Sequence, residues 1–494
     1  MINKLFEDII AGNNIRQNLS ELRKILKSGT ENNFIKAAIL DSQDIFIQLF
    51  SSSDAKTRKN AALLIGDLAI DEFAETLFTQ YKSEETLFIK SSYLTALSKL
   101  NCKQFLPEFK VTLDLLNKTE ITAENKKHIQ EEIKELNELI LKIEGLKPHT
   151  FTGYNKNFDC ILLTNRLHSE ITKNQIFNGE VSEFKAGLRV KTNDIKELLD
   201  IRTYSELLLI VPELTILPTE PLDIATVIAN SKLVKFLHSI HKETNPFFFR
   251  VELKSRMPLD KKSVFIKKLS ADITQLTNRQ LINSASNYEL EIRLIENKSH
   301  TYNVLLKLYT LPNSRFEYRH KAINTSIKPD TAALLVKLAS DYMIDDAKVI
   351  DPFCGTATML IERQMQIKAN TSYGIDISEK AILAAKENTQ KAGQIIHFIN
   401  RDFFTFKHEY LFDEIFTNMP FFMGDTRKDE LHQIYKNFFD IAHKFLTDKG
   451  TIILYSHNPE FVELLANHCG YKILKRILIM DNINSKLFVL KYEN

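Results

Sequence analysis

The spacing of apolar positions changes twice along the chain. From the start to about Gly145 they recur every three or four residues, the period of one helix face, and no proline interrupts before Pro107. The segment AENKKHIQEEIKELNELILKIEG ends at Gly145 with Pro148 just beyond, a helix stop that also marks a linker. From about His149 to Leu311 the apolar runs shorten and become rich in β-branched and aromatic residues. FDCILLTN, FKAGLRV, ELLLIVPEL, FFFRVELKS, YELEIRLIE and YNVLLKLYT predict strands, and IKELLDIR, IATVIANSKLVKFLHSIHK and KSVFIKKLSADITQLTN predict helices. From about Pro329 helix and strand alternate through KVIDP, SYGID, IIHFINRD, DEIFTNMP and TIILYS, and KILKRILIM and KLFVLKYE close the series as an antiparallel pair. That order predicts a doubly wound, Rossmann-like parallel sheet. The expected organisation is multidomain: all-α over 1–147, α+β over 148–311, a linker over 312–328 and α/β over 329–494.

Within the helical region, residues 58–68 (RKNAALLIGDL) and 89–100 (IKSSYLTALSKL) align, with Arg58 over Lys90, Ala61 over Tyr93 and Leu68 over Leu100. The offset of about 32 residues suits stacked helical hairpins of the HEAT type, and an irregular bundle fits the same pattern. The net charge of +2 over 494 residues leaves any attraction to nucleic acid to local clustering. One such cluster is Arg250, Lys254, Arg256, Lys261, Lys262, Lys267 and Lys268 against Glu252 and Asp260. It reads either as a solvated face or as a track for a phosphate backbone. The four cysteines have neither CxxC nor Cys/His spacing, which argues against a disulfide framework and a zinc site and points to a reducing, cytoplasmic setting. No apolar run approaches the roughly 18 residues that span a bilayer, so neither membrane nor metal is expected.

In a doubly wound sheet a small ligand sits beyond the carboxyl ends of the strands. Strand KVI ends at Asp351 and enters the turn DPFCGTAT, which carries Phe353, Gly355, Thr356 and Thr358. Gly355 lets backbone approach a ligand there, and the following helix offers unpaired N–H groups to a carboxylate. Asp376, followed by Ile377, ends the next strand as an acceptor for two ribose hydroxyls. Asp402 ends the third as an acceptor for an adenine amino group, with Phe403 over the base. Ribose, adenine and an amino-acid carboxylate are the parts of S-adenosylmethionine; the GxGxxG spacing that would cradle a dinucleotide pyrophosphate is missing. The fourth strand ends in Asn418-Met419-Pro420-Phe421. The Asn418 side-chain oxygen and the Met419 carbonyl can accept both hydrogens of a planar amino group, Pro420 fixes the turn, and Phe421 stacks on an extruded base.

With these motifs, the chain resembles the THUMP-containing class I RNA methyltransferases, particularly those acting on guanine N2 in transfer RNA. The likeness runs over about 245–494 and includes YELEIRLI leading to KLYTLPNSRFEYRHKAINTSIKPDTAALLVKLA. It implies a ferredoxin-like plus THUMP-like central region that captures RNA. Lys254, Arg256, Lys267, Lys268, Arg315 and Arg319 are the candidate contacts, and the N-terminal helices are free to dock a protein partner. The alternatives are an amino methyltransferase acting on DNA adenine or a protein glutamine, and an RNA-binding scaffold whose catalytic fold has decayed. Two positions depart from the family pattern. Ala357 replaces a glycine, a severe change only at positive φ, and Phe422 stands where glycine usually follows the tetrapeptide, a bulk expected to narrow the base pocket.

Overall fold

The computed structural model describes residues 2–26, 32–119, 122, 124–145, 148–211, 213–421 and 427–493. Two compact units are present, Met1–Pro148 and His149–Asn494. Among the described residues no helix is long and apolar enough to cross a membrane. The first unit consists of helices, and the two aligned segments fall on Ala55–Asp67 and Leu87–Leu97. These helices pack directly on each other: a Cβ on Gly66 would lie 2.6 Å from the Ala96 Cα, so a side chain there would push them apart. The equivalence extends to charge. Arg58 holds the half-buried Glu84 through two 2.8 Å hydrogen bonds, and Lys90, aligned with it, approaches the buried Glu132 at 3.6 Å.

The second unit opens with β1 (Phe158–Thr164), β2 (Glu180–Phe184), β3 (Gly187–Thr192), β4 (Tyr204–Leu209), β5 (Ile216–Leu217), β6 (Phe247–Lys254), β7 (Leu281–Asn283), β8 (Leu290–Glu296) and β9 (Tyr302–Leu308). The sheet order is β2-β3-β1-β4-β9-β8-β6-β7, with β5 also on β9. The central region, where ferredoxin-like and THUMP-like modules are expected from the sequence, forms one continuous sheet, joined where Leu209 of β4 pairs with Leu306 of β9. A single apolar core runs beneath it from Phe151 to Leu311. β2, β5 and β7 escaped the sequence reading because a two-, three- or five-residue strand carries too little alternation to register. The helix expected over 224–242 is two, Pro221–Asn230 and Leu233–Ile240, broken at Ser231, whose hydroxyl accepts the Leu233 N–H at 3.2 Å.

Alternation along this sheet sends Phe247, Phe249, Val251, Leu290, Ile292 and Leu294 into the core and charged residues to the other face. Those charges neutralise one another. Arg250 and Arg293 both hold Glu291 at 2.6 Å, while Arg293 and Lys307 both hold Glu206 at 2.6 Å.

The C-terminal sheet is built from β10 (Ala347–Asp351), β11 (Ala369–Asp376), β12 (His397–Asn400), β13 (Phe412–Asn418), β14 (Leu446–Ser456), β15 (Tyr471–Met480) and β16 (Ser485–Tyr492), ordered β12-β11-β10-β13-β14-β16-β15. The first five are parallel, and β16 runs antiparallel to both β14 and β15. After β10 the chain enters the helix Thr358–Gln366, two adjacent residues of which point to different layers. Glu362, fully buried, takes two hydrogen bonds from Arg202 at 2.7 and 2.8 Å and one from Tyr318 at 2.7 Å. Arg363, also fully buried, grips Glu414 of β13 at 3.1 and 2.9 Å and the carbonyls of Ile344 and Ile367. The first contact ties the helix to the segments flanking β4 and the second ties it to the sheet.

Candidate cofactor and base site

A cavity of about 480 Å³ opens at the carboxyl ends of β10, β11 and β13. Asp351, Phe353, Gly355, Thr356, Thr358, Asp376, Ile377, Asp402, Phe403, Asn418, Met419, Pro420 and Phe421 all line it, so these sequence candidates share one cleft. Their postures differ from the expectation. Asp351 is buried, and its Oδ1 accepts from the Thr417 hydroxyl at 2.6 Å and the Phe353 N–H at 3.0 Å, while Oδ2 finds no partner among the described residues. Burial pushes this carboxyl up to about 7. Asp351 thus braces the turn from below and links it to the residue preceding Asn418. Asp376 accepts the Gly355 N–H at 2.9 Å and the Ser378 N–H at 2.8 Å, and a carboxylate with two such bonds still has lone pairs for a ligand hydroxyl.

Asp402 lies two residues beyond β12 and accepts the Phe404 N–H at 3.0 Å. Phe403, expected to cover a base, is 2 % exposed and packs on Phe445 at 4.8 Å, because it belongs to the core under the sheet. The half-buried ring on this wall is Phe404, which the sequence reading passed over.

Ala357 has φ +65° and ψ +15°, the left-handed conformation. The positive φ that makes this replacement costly is present, at about 1–2 kcal/mol of strain. Its methyl group is nevertheless buried in the core with Cys354 and Leu360, and Ala357 is not among the residues lining the cavity. Cys354 is buried, and desolvation raises its thiol well above the ordinary range, so it is a packed residue there. Phe422 lies outside the described residues.

Sequence reasoning missed one wall altogether. Ile323, Thr325, Ser326 and Ile327, in the expected linker, line the same cavity, as does Arg401. The strap is fastened by a hydrogen bond between the Ser326 and Thr356 hydroxyls at 3.0 Å and by the buried Asn388, whose amide donates to the carbonyls of both Lys321 and Thr356. Neither apolar period nor turn motif marks this segment in the sequence.

The RNA candidates separate. Arg315 is 4 % exposed: its guanidinium donates to the Ile201 and Tyr204 carbonyls and to Asn313, and lies 3.7 Å over the Tyr204 ring. It is a structural arginine, and the expectation that it meets phosphate is corrected. Lys254 is exposed and paired with Glu252 at 2.5 Å, and Arg256 lies in the turn after β6. Lys267 and Lys268 are exposed on the helix Leu259–Leu276 without an ion pair among the described residues. Arg319 is half-buried, with its guanidinium 3.5 Å from the Ile327 carbonyl of the strap.

Comparisons with known proteins bear on the same region of the chain. Residues 317–478 match the family UPF0020, described as an RMKL-like methyltransferase domain. A 144-residue stretch is 29 % identical to a tRNA (guanine(10)-N2)-dimethyltransferase of Methanothermobacter thermautotrophicus, covering 28 % of this chain and 40 % of that one. Among solved structures, SMU.472, a putative methyltransferase complexed with SAH, is 12 % identical with a TM-score of 0.52 over 69 % of this chain and 99 % of its own. A possible methylase from Clostridium difficile 630 is 18 % identical with a TM-score of 0.50, also over 69 % and 99 %. These two likenesses concern the fold. The cleft lies within the stretch that matches a methyltransferase domain.

Proposed function

We propose that this protein methylates the exocyclic N2 of a guanine in transfer RNA. Asn418 carries the reading: its Oδ1 is buried at the wall of the cofactor cleft and has no hydrogen-bond partner among the described residues. An unmet acceptor costs about 1–3 kcal/mol, a cost that an amino group entering the site would relieve. The likeness to the tRNA (guanine(10)-N2)-dimethyltransferase of Methanothermobacter thermautotrophicus supports guanine N2 and transfer RNA as the target.

When bound, S-adenosylmethionine supplies an electrophilic methyl group. Asp376 would hold the ribose hydroxyls, Ile377, Asp402 and Phe404 would hold the adenine, and the backbone N–H groups opening the helix Thr358–Gln366 would hold the carboxylate. The Asn418 Oδ1 and the Met419 carbonyl accept the two amino hydrogens. This draws the nitrogen lone pair out of conjugation and aligns it for attack. Two contacts hold the acceptors still: the Met419 N–H donates to the Tyr455 carbonyl at 2.9 Å, and the Tyr435 hydroxyl spans the Pro420 carbonyl and the Ser456 hydroxyl at 3.3 and 2.9 Å. Lys254, Arg256, Lys267, Lys268 and Arg319 meet RNA phosphates, and the N-terminal helices dock a partner in the cytoplasm.

The test is parallel incubation of methyl-labelled S-adenosylmethionine with bulk transfer RNA, with DNA and with cell protein, followed by nucleoside and amino-acid analysis. Label in N2-methylguanosine is expected. Label in DNA adenine or protein glutamine, or no label despite cofactor binding, overturns the reading.

A further inference from the structure

Phe421 has its own partner before any base arrives. β13 and β14 run in parallel with Asn418 opposite Tyr455, so the chain leaving each strand emerges at the same edge, Met419 to Phe421 on one side and Ser456-His457 on the other. There the His457 imidazole lies flat on the Phe421 ring, with centroids 4.2 Å apart and planes inclined by 17°, and its edge meets Tyr455 at 5.1 Å. Both rings are half-buried, and Phe421 lines the cofactor cleft. A phenyl ring has two faces, and the imidazole takes one of them.

We infer that His457 is a positioning residue that fixes the Phe421 ring so that its remaining face receives the target base. The inference rests on the methyltransferase reading above and deepens it by naming what holds the base-stacking surface. The physical reason is entropic. A phenylalanine on a turn at a strand end samples several rotamers, and a base that stacks on it must freeze them, whereas a ring already clamped has lost that freedom before binding. Burial holds the imidazole below the ordinary histidine range, so at neutral pH the clamp is an uncharged ring. The surrounding contacts are rigid: Ser456 is tied through its hydroxyl to Tyr435 and to the Asn458 N–H, so His457 sits between two fixed residues.

A proton-transfer role for His457 would need the imidazole itself, whereas a clamp needs only a flat ring. The full-length protein is therefore compared with His457→Ala and His457→Phe, using unmodified transfer RNA transcript as substrate and S-adenosylmethionine binding by calorimetry as control. His457→Ala is expected to raise KM for the transcript about three- to tenfold, the range for one aromatic pair, with kcat changed less and cofactor affinity unchanged. His457→Phe is expected to restore KM. An unchanged KM in His457→Ala, or a His457→Phe variant as impaired as His457→Ala, overturns the inference while leaving the methyltransferase reading intact. A wild-type protein that binds the cofactor and methylates no transcript overturns the substrate reading and this inference with it.

Discussion

The charged row of the central sheet and the carboxyl edge of the C-terminal sheet treat polarity in opposite ways. In the central sheet every charge in the row Arg250, Glu291, Arg293, Glu206 and Lys307 is met by another. The buried Arg315 donates to two carbonyls and to Asn313, while its Nη2 has no partner among the described residues. At the carboxyl edge of the C-terminal sheet, Asn418 Oδ1 and Asp351 Oδ2 are buried with no partner among the described residues. Satisfied networks rigidify, whereas an unmet atom on a residue that lines a cavity, as at Asn418 and Asp351, is placed to meet a ligand. Basic residues in a run do not by themselves identify a binding face; the pairing state of each one does.

The largest effect should come from breaking a satisfied pair. Glu414→Ala leaves the fully buried Arg363 without its carboxylate, and loss of one partner of such a pair typically costs about 3–5 kcal/mol. Urea unfolding should show that loss, while Glu252→Ala, which frees only the exposed Lys254, should shift stability by less than about 1 kcal/mol. Equal losses would erase the distinction between the two kinds of charge.

Asn418→Ala probes the unmet side. Because the atom has no partner among the described residues, folding stability should hardly change, and the cost should fall on turnover by about 10² or more. Single-turnover methyl transfer and cofactor calorimetry separate the two. A variant with unaltered turnover would move the chemistry away from this strand end.

How much of this was legible follows from which interactions leave a periodic trace. The strands around Asp351, Asp376 and Asn418 were readable because short strand-like segments alternate with helical ones and end in acidic or turn residues, and the sheet order then brought them to one cleft. The fates of Phe403 and Phe404 were not, because two adjacent aromatics look alike until the core claims one. Arg315 looked like a phosphate contact because its partners are backbone carbonyls more than a hundred residues away in sequence, Ile201 and Tyr204. The strap at 323–327 was invisible for a related reason: it is held by Asn388 and Thr356, and the strap itself has no regular structure.

Asp376 lies between the two extremes, since it already serves two backbone N–H groups and still faces the cleft. Asp376→Ala should weaken S-adenosylmethionine binding by about 1.5–3 kcal/mol, the range for hydrogen bonds to a charged group. Calorimetry returning wild-type affinity would mean that the carboxylate only shapes the turn.

The smallest effect is expected at Ala357, and its size follows from contributions that oppose one another. Ala357→Gly relieves about 1–2 kcal/mol of left-handed strain. It also gives the unfolded chain about 0.4–1 kcal/mol of extra freedom and removes a fully buried methyl group worth about 0.8 kcal/mol. The sum lies within about 1 kcal/mol of zero. Since the methyl points into the core with Cys354 and Leu360 rather than lining the cavity, cofactor affinity and turnover should stay within about threefold, a shift below roughly 0.7 kcal/mol. A much larger gain in activity from the glycine would show that the alanine handicaps the site, and would bring back the scaffold reading that the open cleft argues against.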